Sequence, residues 1–175
     1  MPKGCIHIYC GEGKGKTTAA LGLILRASGA GFRVIFTQFL KTWNTGELAS
    51  LQRLENITVI RGNLPKGFSW EWSDQEKALA NAEHNRLFEE SIQMAGNGEK
   101  TLLVLDELNG AYANDFIDQG RVLSFLQNKP QALEVVITGR NPAPELVELA
   151  DYVSEIKKIK HPMDQGLDAR KGIEF

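Results

Sequence analysis

The chain has 175 residues, of which 42% are hydrophobic and 24% charged, and a formal net charge of -2. That length suits one domain with its own core. The near-neutral balance argues against a nucleic-acid coat or an anionic membrane surface as partner, and no apolar run approaches the roughly 20 residues that span a bilayer. Residues 1–4 lead straight into an apolar stretch with no small-residue cleavage site behind it, so no leader is expected. The two cysteines, Cys5 and Cys10, flank Ile6, His7, Ile8 and Tyr9. On a strand they lie about 17 Å apart, too far for a disulfide, and they read as reduced, buried residues of a cytoplasmic protein.

Strand-like and helix-like segments alternate along the chain, the pattern of an α/β domain with a parallel sheet. A strand is expected over residues 5–10. A helix follows over 16–28, with Ala20, Leu23, Ile24 and Ala27 on one face and Gly29 and Gly31 ending it. A second strand spans 33–39, and a short helix starts near Gly46 and carries Leu48, Leu51 and Leu54. A third strand covers 57–61, then an irregular stretch runs over 62–72. Ser73 and Glu76 form a capping box for a long helix reaching Ala95. The segment from Thr101 to Asp106 is almost wholly apolar, as befits a strand buried on both faces. A helix over 116–127, a strand over 134–138, a helix opening at Pro144, and a strand over 152–156 complete the series. Residues 157–175 form a polar C-terminal tail within a single domain spanning 1–175.

Residues 10–18, Cys-Gly-Glu-Gly-Lys-Gly-Lys-Thr-Thr, stand between the first strand and the first helix. Gly15, Lys16 and Thr17 fit the end of a phosphate-binding loop, although Cys10 stands where the first glycine of the pattern belongs. Gly11 and Gly13 still let the backbone curl around an anion, and the helix adds its positive end. Lys16 is placed to reach phosphates, and Thr17 to offer its hydroxyl to Mg²⁺. Asp106 ends a buried strand, where such proteins place the acid that holds the metal; alone, it could equally cap a turn. Glu107 is either a second ligand or a group orienting water or substrate. Arg140, in a loop at the carboxyl edge of the sheet, pairs either with phosphate or with a surface acid.

Phe68, Trp70 and Trp72 alternate, which fits an edge strand against the core. They also sit in glycine-punctuated sequence, where an aromatic cluster can hold a large flat ligand. The three histidines have no zinc-ligand spacing, and no Ser/His/Asp or Cys/His arrangement is legible. The tail from His161 is either an ordered part of the site or a loose end.

The stretches 11–20, 38–41, Gly67-Phe68-Ser69-Trp70, 104–108, 137–141 and the tail over 160–175 together resemble the P-loop-type corrinoid adenosyltransferases. The loop alone is shared by many families; its union with the Gly-Phe-Ser-Trp run and the tail is specific. The resemblance implies a P-loop NTPase, RecA-like fold: a mostly parallel sheet with helices on both faces. It implies transfer of the 5′-deoxyadenosyl group of ATP to Co(I) of a corrinoid, cobalamin or a precursor, with triphosphate leaving. Gly11, Glu12, Gly13, Lys14, Gly15, Lys16, Thr17, Thr18 and Arg140 then hold ATP. Lys16, Thr17, Asp106 and Glu107 serve the reaction, and Thr17, Asp106 and Glu107 hold Mg²⁺. Phe68 and Trp70 face the corrinoid and displace its lower axial ligand, which eases reduction of Co(II). A homodimer and an external reduced flavin or flavoprotein as electron donor are also implied, with no nucleic acid and no membrane. Many relatives carry residues ahead of the first strand that help cover the corrinoid; only about four precede it here. Trp72 is an extra aromatic with an open role. The competing readings are a P-loop ATPase or phosphotransferase, which releases ADP, and a non-catalytic nucleotide-gated binding module.

Overall fold

The computed structural model describes residues 3–65, 67 and 69–175, so the expectation for Phe68 lies outside the described residues. Six strands form one sheet in the order β3-β2-β4-β5-β1-β6: β1 (Ile6–Cys10), β2 (Arg33–Gln38), β3 (Ile57–Arg61), β4 (Thr101–Asp106), β5 (Glu134–Thr138) and β6 (Tyr152–Glu155). Every pairing is parallel. Among the described residues six α-helices connect them: α1 (Lys16–Gly29), α2 (Gly46–Leu51), α3 (Asp74–Ala95), α4 (Leu108–Ala113), α5 (Gln119–Asn128) and α6 (Pro144–Leu149).

Side chains of successive strand residues point to opposite faces, and each face has its own cover. On one side Val34, Phe36, Leu102, Val104 and Val136 pack with Ala20 and Ile24 of α1 and Leu48 and Leu51 of α2. On the other, Ile35, Leu103, Leu105, Val135 and Ile137 pack with Leu87 and Phe88 of α3, Tyr112 of α4, Val122 and Leu126 of α5, and Leu146 of α6. All six residues of β4 are buried, as its unbroken apolar run requires for a central parallel strand. Each such aliphatic side chain contributes about 1.5–3 kcal/mol on burial.

The capping box forms as its sequence dictates. Ser73 Oγ accepts the Glu76 N–H at 3.3 Å, and the Glu76 carboxylate accepts the Ser73 N–H at 2.9 Å. The Ser73 N–H, and with it the Ser73 hydroxyl at 2.8 Å, donate to the Glu76 carboxylate and hold it below its ordinary range. Three departures from expectation have local causes. Helix α5 starts at Gln119 rather than Phe116, because Asp118 accepts the Arg121 N–H at 2.9 Å and caps it. Helix α4 is additional; its six residues include a glycine and carry no periodic signal. The segment Ser69–Glu71 is a 3₁₀ turn, not an edge strand. Cys10 is buried as expected, whereas Cys5 is only partly so. Among the described residues, no helix is long and apolar enough to cross a membrane.

Candidate active site

The parallel sheet places the carboxyl ends of β1, β2, β4 and β5 along one edge, where α/β folds bind ligands. From β1 comes the glycine-rich loop. Cys10 is the last strand residue and keeps extended backbone, so the position does not need the glycine of the common pattern; the first positive φ is at Gly11 (101°) and the next at Gly15 (122°). Close approach explains Gly11 and Gly13: a Cβ on either would sit 2.5 or 2.7 Å from the Ile156 carbonyl oxygen, which accepts the Gly13 N–H at 2.7 Å. The loop therefore leans on the chain leaving β6.

Helix α1 then begins at Lys16 with its amino end open to the loop, a favourable place for an anion. The Lys16 ammonium donates to the carbonyls of Gly11 (2.8 Å) and Gly13 (3.0 Å), and burial pushes it below the ordinary lysine range. The exposed Glu12 pairs with Arg140 at 3.3 Å, so the surface-pair alternative for Arg140 is the arrangement seen. A cleft of about 390 Å³ opens over the loop. Residues 13–18, Lys41, Trp43 and Glu107 line it, and so do residues 172–175 at the carboxyl end of the chain. The tail is thus an ordered wall of the site. Glu174 reaches Lys14 at 4.0 Å and Arg170 at 3.1 Å.

Asp106, fully buried at the end of β4, is the hub. Its Oδ1 accepts from Thr17 Oγ1 at 2.9 Å and Thr138 Oγ1 at 2.7 Å. Its Oδ2 accepts from Lys41 Nζ at 2.7 Å and Gln38 Nε2 at 3.2 Å. The predicted pair Thr17 and Asp106 is therefore in direct contact, and the turn-capping alternative for Asp106 is not what the carboxylate does. Glu107 adopts a left-handed backbone (φ 63°) and donates its N–H to Thr138 Oγ1 at 2.9 Å. Burial first, and then the neighbouring Asp106 charge, raise the Glu107 carboxyl above its usual range.

The donors suit a small hard cation. Thr17 Oγ1, the Asp106 and Glu107 carboxylates and Gln38 Oε1, which is buried without a hydrogen-bond partner, are all oxygens. Mg²⁺ is typically held by one or two carboxylates together with substrate phosphates. Among the described residues there is no cluster of three or more His, Cys, Asp or Glu that would form an all-protein cage.

Sequence reasoning missed two residues here. Lys41 lies in a loop after β2 with no local motif; only its place in the run 38–41 hinted at it. His84, in an otherwise polar helix, is fully buried. Its Nε2 accepts the Leu40 N–H at 3.2 Å, so the proton sits on Nδ1, which donates to the Phe116 carbonyl at 3.1 Å. The neutral ring suits this place, and burial lowers its pKa to about 4. The aromatic segment divides in two. Trp72 is 4% exposed, its ring 5.5 Å from that of Phe116, while Trp70 is 74% exposed on the 3₁₀ turn. The open role of Trp72 is thereby an anchoring one: it fastens the turn that presents Trp70.

Known proteins resemble this chain along its whole length. A corrinoid adenosyltransferase of Pseudomonas aeruginosa is 36% identical over 174 residues, covering 99% of this chain and 84% of the relative. One from Sinorhizobium is 37% identical over 175 residues, covering 99% and 81%. One from Escherichia coli K12 is 35% identical, covering 99% and 86%. Among solved structures, the cytoplasmic domain of EssC matches 96% of this chain and 34% of its own length, with a TM-score of 0.53 and 16% identity; that likeness concerns the fold alone. The family model for the ATP:corrinoid adenosyltransferase BtuR/CobO/CobP matches residues 2–175, so the chain belongs to that family, and with it to the transferases that adenosylate corrinoids with ATP.

Proposed function

We propose that the cleft over the glycine-rich loop holds the triphosphate of ATP, and that the 5′-deoxyadenosyl group passes from there to Co(I) of a corrinoid held beside Trp70 and Phe68. The observation that carries this reading is the 2.9 Å contact with Asp106 made by Thr17, a residue that lines the cleft together with the rest of the loop from Gly13 to Thr18.

The reaction needs no protein nucleophile. Co(I) supplies the electron pair that forms the cobalt–carbon bond at C5′, and the C5′–O bond breaks with its electrons leaving on the triphosphate. The work of the protein is to grip and neutralise that leaving group. Lys16 exchanges its bonds to the Gly11 and Gly13 carbonyls for phosphate oxygens, and the amides of Gly15, Thr17 and Thr18 converge on the same oxygens. Lys14 and Arg140 offer further positive charge from the rim, and Glu12 keeps Arg140 near the loop. Donors aimed at developing charge are each worth about 10²–10³ in rate. Thr17, Asp106 and Glu107 would hold Mg²⁺, which when bound supplies charge stabilisation to the triphosphate.

At the other end, the apolar face of Trp70 offers cobalt no lone pair and excludes water. With Phe68 it disfavours a lower axial ligand and so eases reduction of Co(II). A homodimer, a cytoplasmic setting and an external reduced flavin or flavoprotein as electron source complete the proposal, with residues 1–175 acting as one domain whose tail, 157–175, closes the nucleotide cleft.

The test is the product. The chain is incubated with MgATP and a chemically reduced corrinoid. Inorganic triphosphate and a light-sensitive cobalt–carbon bond are expected in equal amounts. ADP or orthophosphate in their place would show a phosphotransferase or ATPase instead.

A further inference from the structure

The two oxygens assigned to a metal, on Thr17 and Asp106, are already in contact with a cation. Lys41 Nζ donates to Asp106 Oδ2 at 2.7 Å and to Thr17 Oγ1 at 3.1 Å. Its side chain is 14% exposed and that of Asp106 is 0% exposed. With Gln38 and Thr138 on the same carboxylate, four donors surround Asp106. A divalent cation cannot take these oxygens while an ammonium sits on them, because like charges at contact distance repel strongly where water is scarce. One donor has to leave, and Lys41 is the one whose departure removes a charge.

The surrounding geometry says what can move. The backbone of Lys41 is fixed on both sides. Leu40 has a positive φ of 59° and gives its N–H to His84. Arg61 donates to the carbonyls of Lys41 at 3.3 Å and Trp43 at 2.7 Å. The loop is therefore a rigid mount, and only the Lys41 side-chain torsions are free to change. Lys41 also lines the cleft over the glycine-rich loop, as Glu107 does, so a displaced ammonium remains in the cleft where a triphosphate would lie.

We propose that Lys41 is a further phosphate-binding residue of this site. Its ammonium neutralises Asp106 until a divalent cation takes the Thr17 and Asp106 oxygens, and it then turns on its fixed backbone to a phosphate oxygen. The exchange keeps the site near charge balance: the dication arrives with the anionic nucleotide, and the displaced lysine meets the same nucleotide. The inference rests on the reading of the cleft as the triphosphate site.

Two affinities test it on the full chain, both independent of turnover. The first is that of Mn²⁺ alone, read from loss of the free-ion paramagnetic resonance signal. The second is that of MgATP, read by calorimetry. Lys41→Met is expected to bind Mn²⁺ about 10-fold more tightly, since Asp106 loses its internal cation, and MgATP about 10-fold more weakly, since a phosphate contact is gone. Lys41→Arg, which keeps a cation able to pair with phosphate, is expected to bind MgATP within about three-fold of the parent chain. If Lys41→Met leaves either affinity unchanged, the proposal is overturned and Lys41 is a brace for Asp106 only. Should Lys41→Met fail to fold, Lys41→Gln keeps a donor to Asp106 while losing the charge, and the same two readings decide. Lys16→Ala separates the two levels. If it too leaves MgATP affinity unchanged, the phosphate-loop reading fails; if it weakens binding and the Lys41 variants do not, this inference alone fails.

Discussion

The Leu40 N–H donates to His84 Nε2 across 3.2 Å, and this bond joins the two halves of the candidate site. On one side of His84 the Leu40 backbone positions Lys41 against Asp106. On the other, His84 Nδ1 holds the Phe116 carbonyl, and the Phe116 ring packs on Trp72 beneath the exposed Trp70. A neutral imidazole is the only form that can accept from Leu40 and donate to Phe116 together.

Stability should therefore depend on pH through His84. Its folded pKa, about 4, is lower than the ordinary 6.5. Its stabilising contribution is thus fully present above pH 6.5 and is lost as pH falls toward 4, where the unfolded chain takes up a proton that the folded one refuses. At pH 5 the loss is about 2 kcal/mol. Urea unfolding at pH 7 and pH 5 should show it, and His84→Gln should lose that part of the pH dependence. An equal pH response in the variant would count against a buried neutral His84.

The two tryptophans should separate stability from function. Trp72→Ala opens a cavity against Phe116 and is expected to cost about 3–5 kcal/mol of unfolding free energy. Trp70→Ala, at an exposed position, should change stability by less than about 0.5 kcal/mol. Trp70→Ala, alone or with Phe68→Ala, should spare ATP binding and impair adenosylation that starts from Co(II), while activity with chemically supplied Co(I) persists. Unchanged activity in both assays would make Trp70 a surface residue with no role in cobalt reduction.

Much of this was legible in the chain because the signals were local. Unbroken apolar runs such as Thr101–Asp106 gave the central strands, glycines gave the loop, and Ser73 with Glu76 gave the start of the longest helix. The Thr17–Asp106 contact was inferable because the loop pattern and a strand-ending acid each point to one metal. What stayed hidden depends on tertiary geometry. Lys41 is a lone lysine in a loop, and its meaning comes from Asp106, 65 residues away. His84 looks like a polar helix residue until α3 packs over Leu40 and Phe116. The alternation of Trp70 and Trp72 put both on one face of an edge strand; instead the chain makes a 3₁₀ turn at Ser69–Glu71, which leaves Trp70 exposed and Trp72 buried.

Lys16 should dominate nucleotide affinity. Its ammonium now rests on two backbone carbonyls, at 2.8 and 3.0 Å, and these neutral partners are weaker than phosphate oxygens. Removing a charged donor from a triphosphate site costs about 1.5–3 kcal/mol, or roughly 10- to 150-fold in affinity. Calorimetry of Lys16→Ala with MgATP measures it, and an unchanged affinity would show that the loop is not a phosphate site.

Glu174 should oppose the same binding. Its carboxyl is held down at about 2, first by the Arg170 side chain, so it is ionised at any working pH. It lines the cleft over the glycine-rich loop and faces Lys14 at 4.0 Å. A triphosphate entering there meets an anion, and it meets a lysine whose charge is partly spent on that anion. Glu174→Gln removes the repulsion and releases Lys14. MgATP should then bind about two- to five-fold more tightly at low salt, and the gain should shrink as ionic strength rises and the Debye length falls below about 10 Å. The competing outcome is equally plain: if Glu174→Gln weakens MgATP binding, the bond to Arg170 matters more than the charge, and the tail works as a clamp whose closed shape Glu174 maintains.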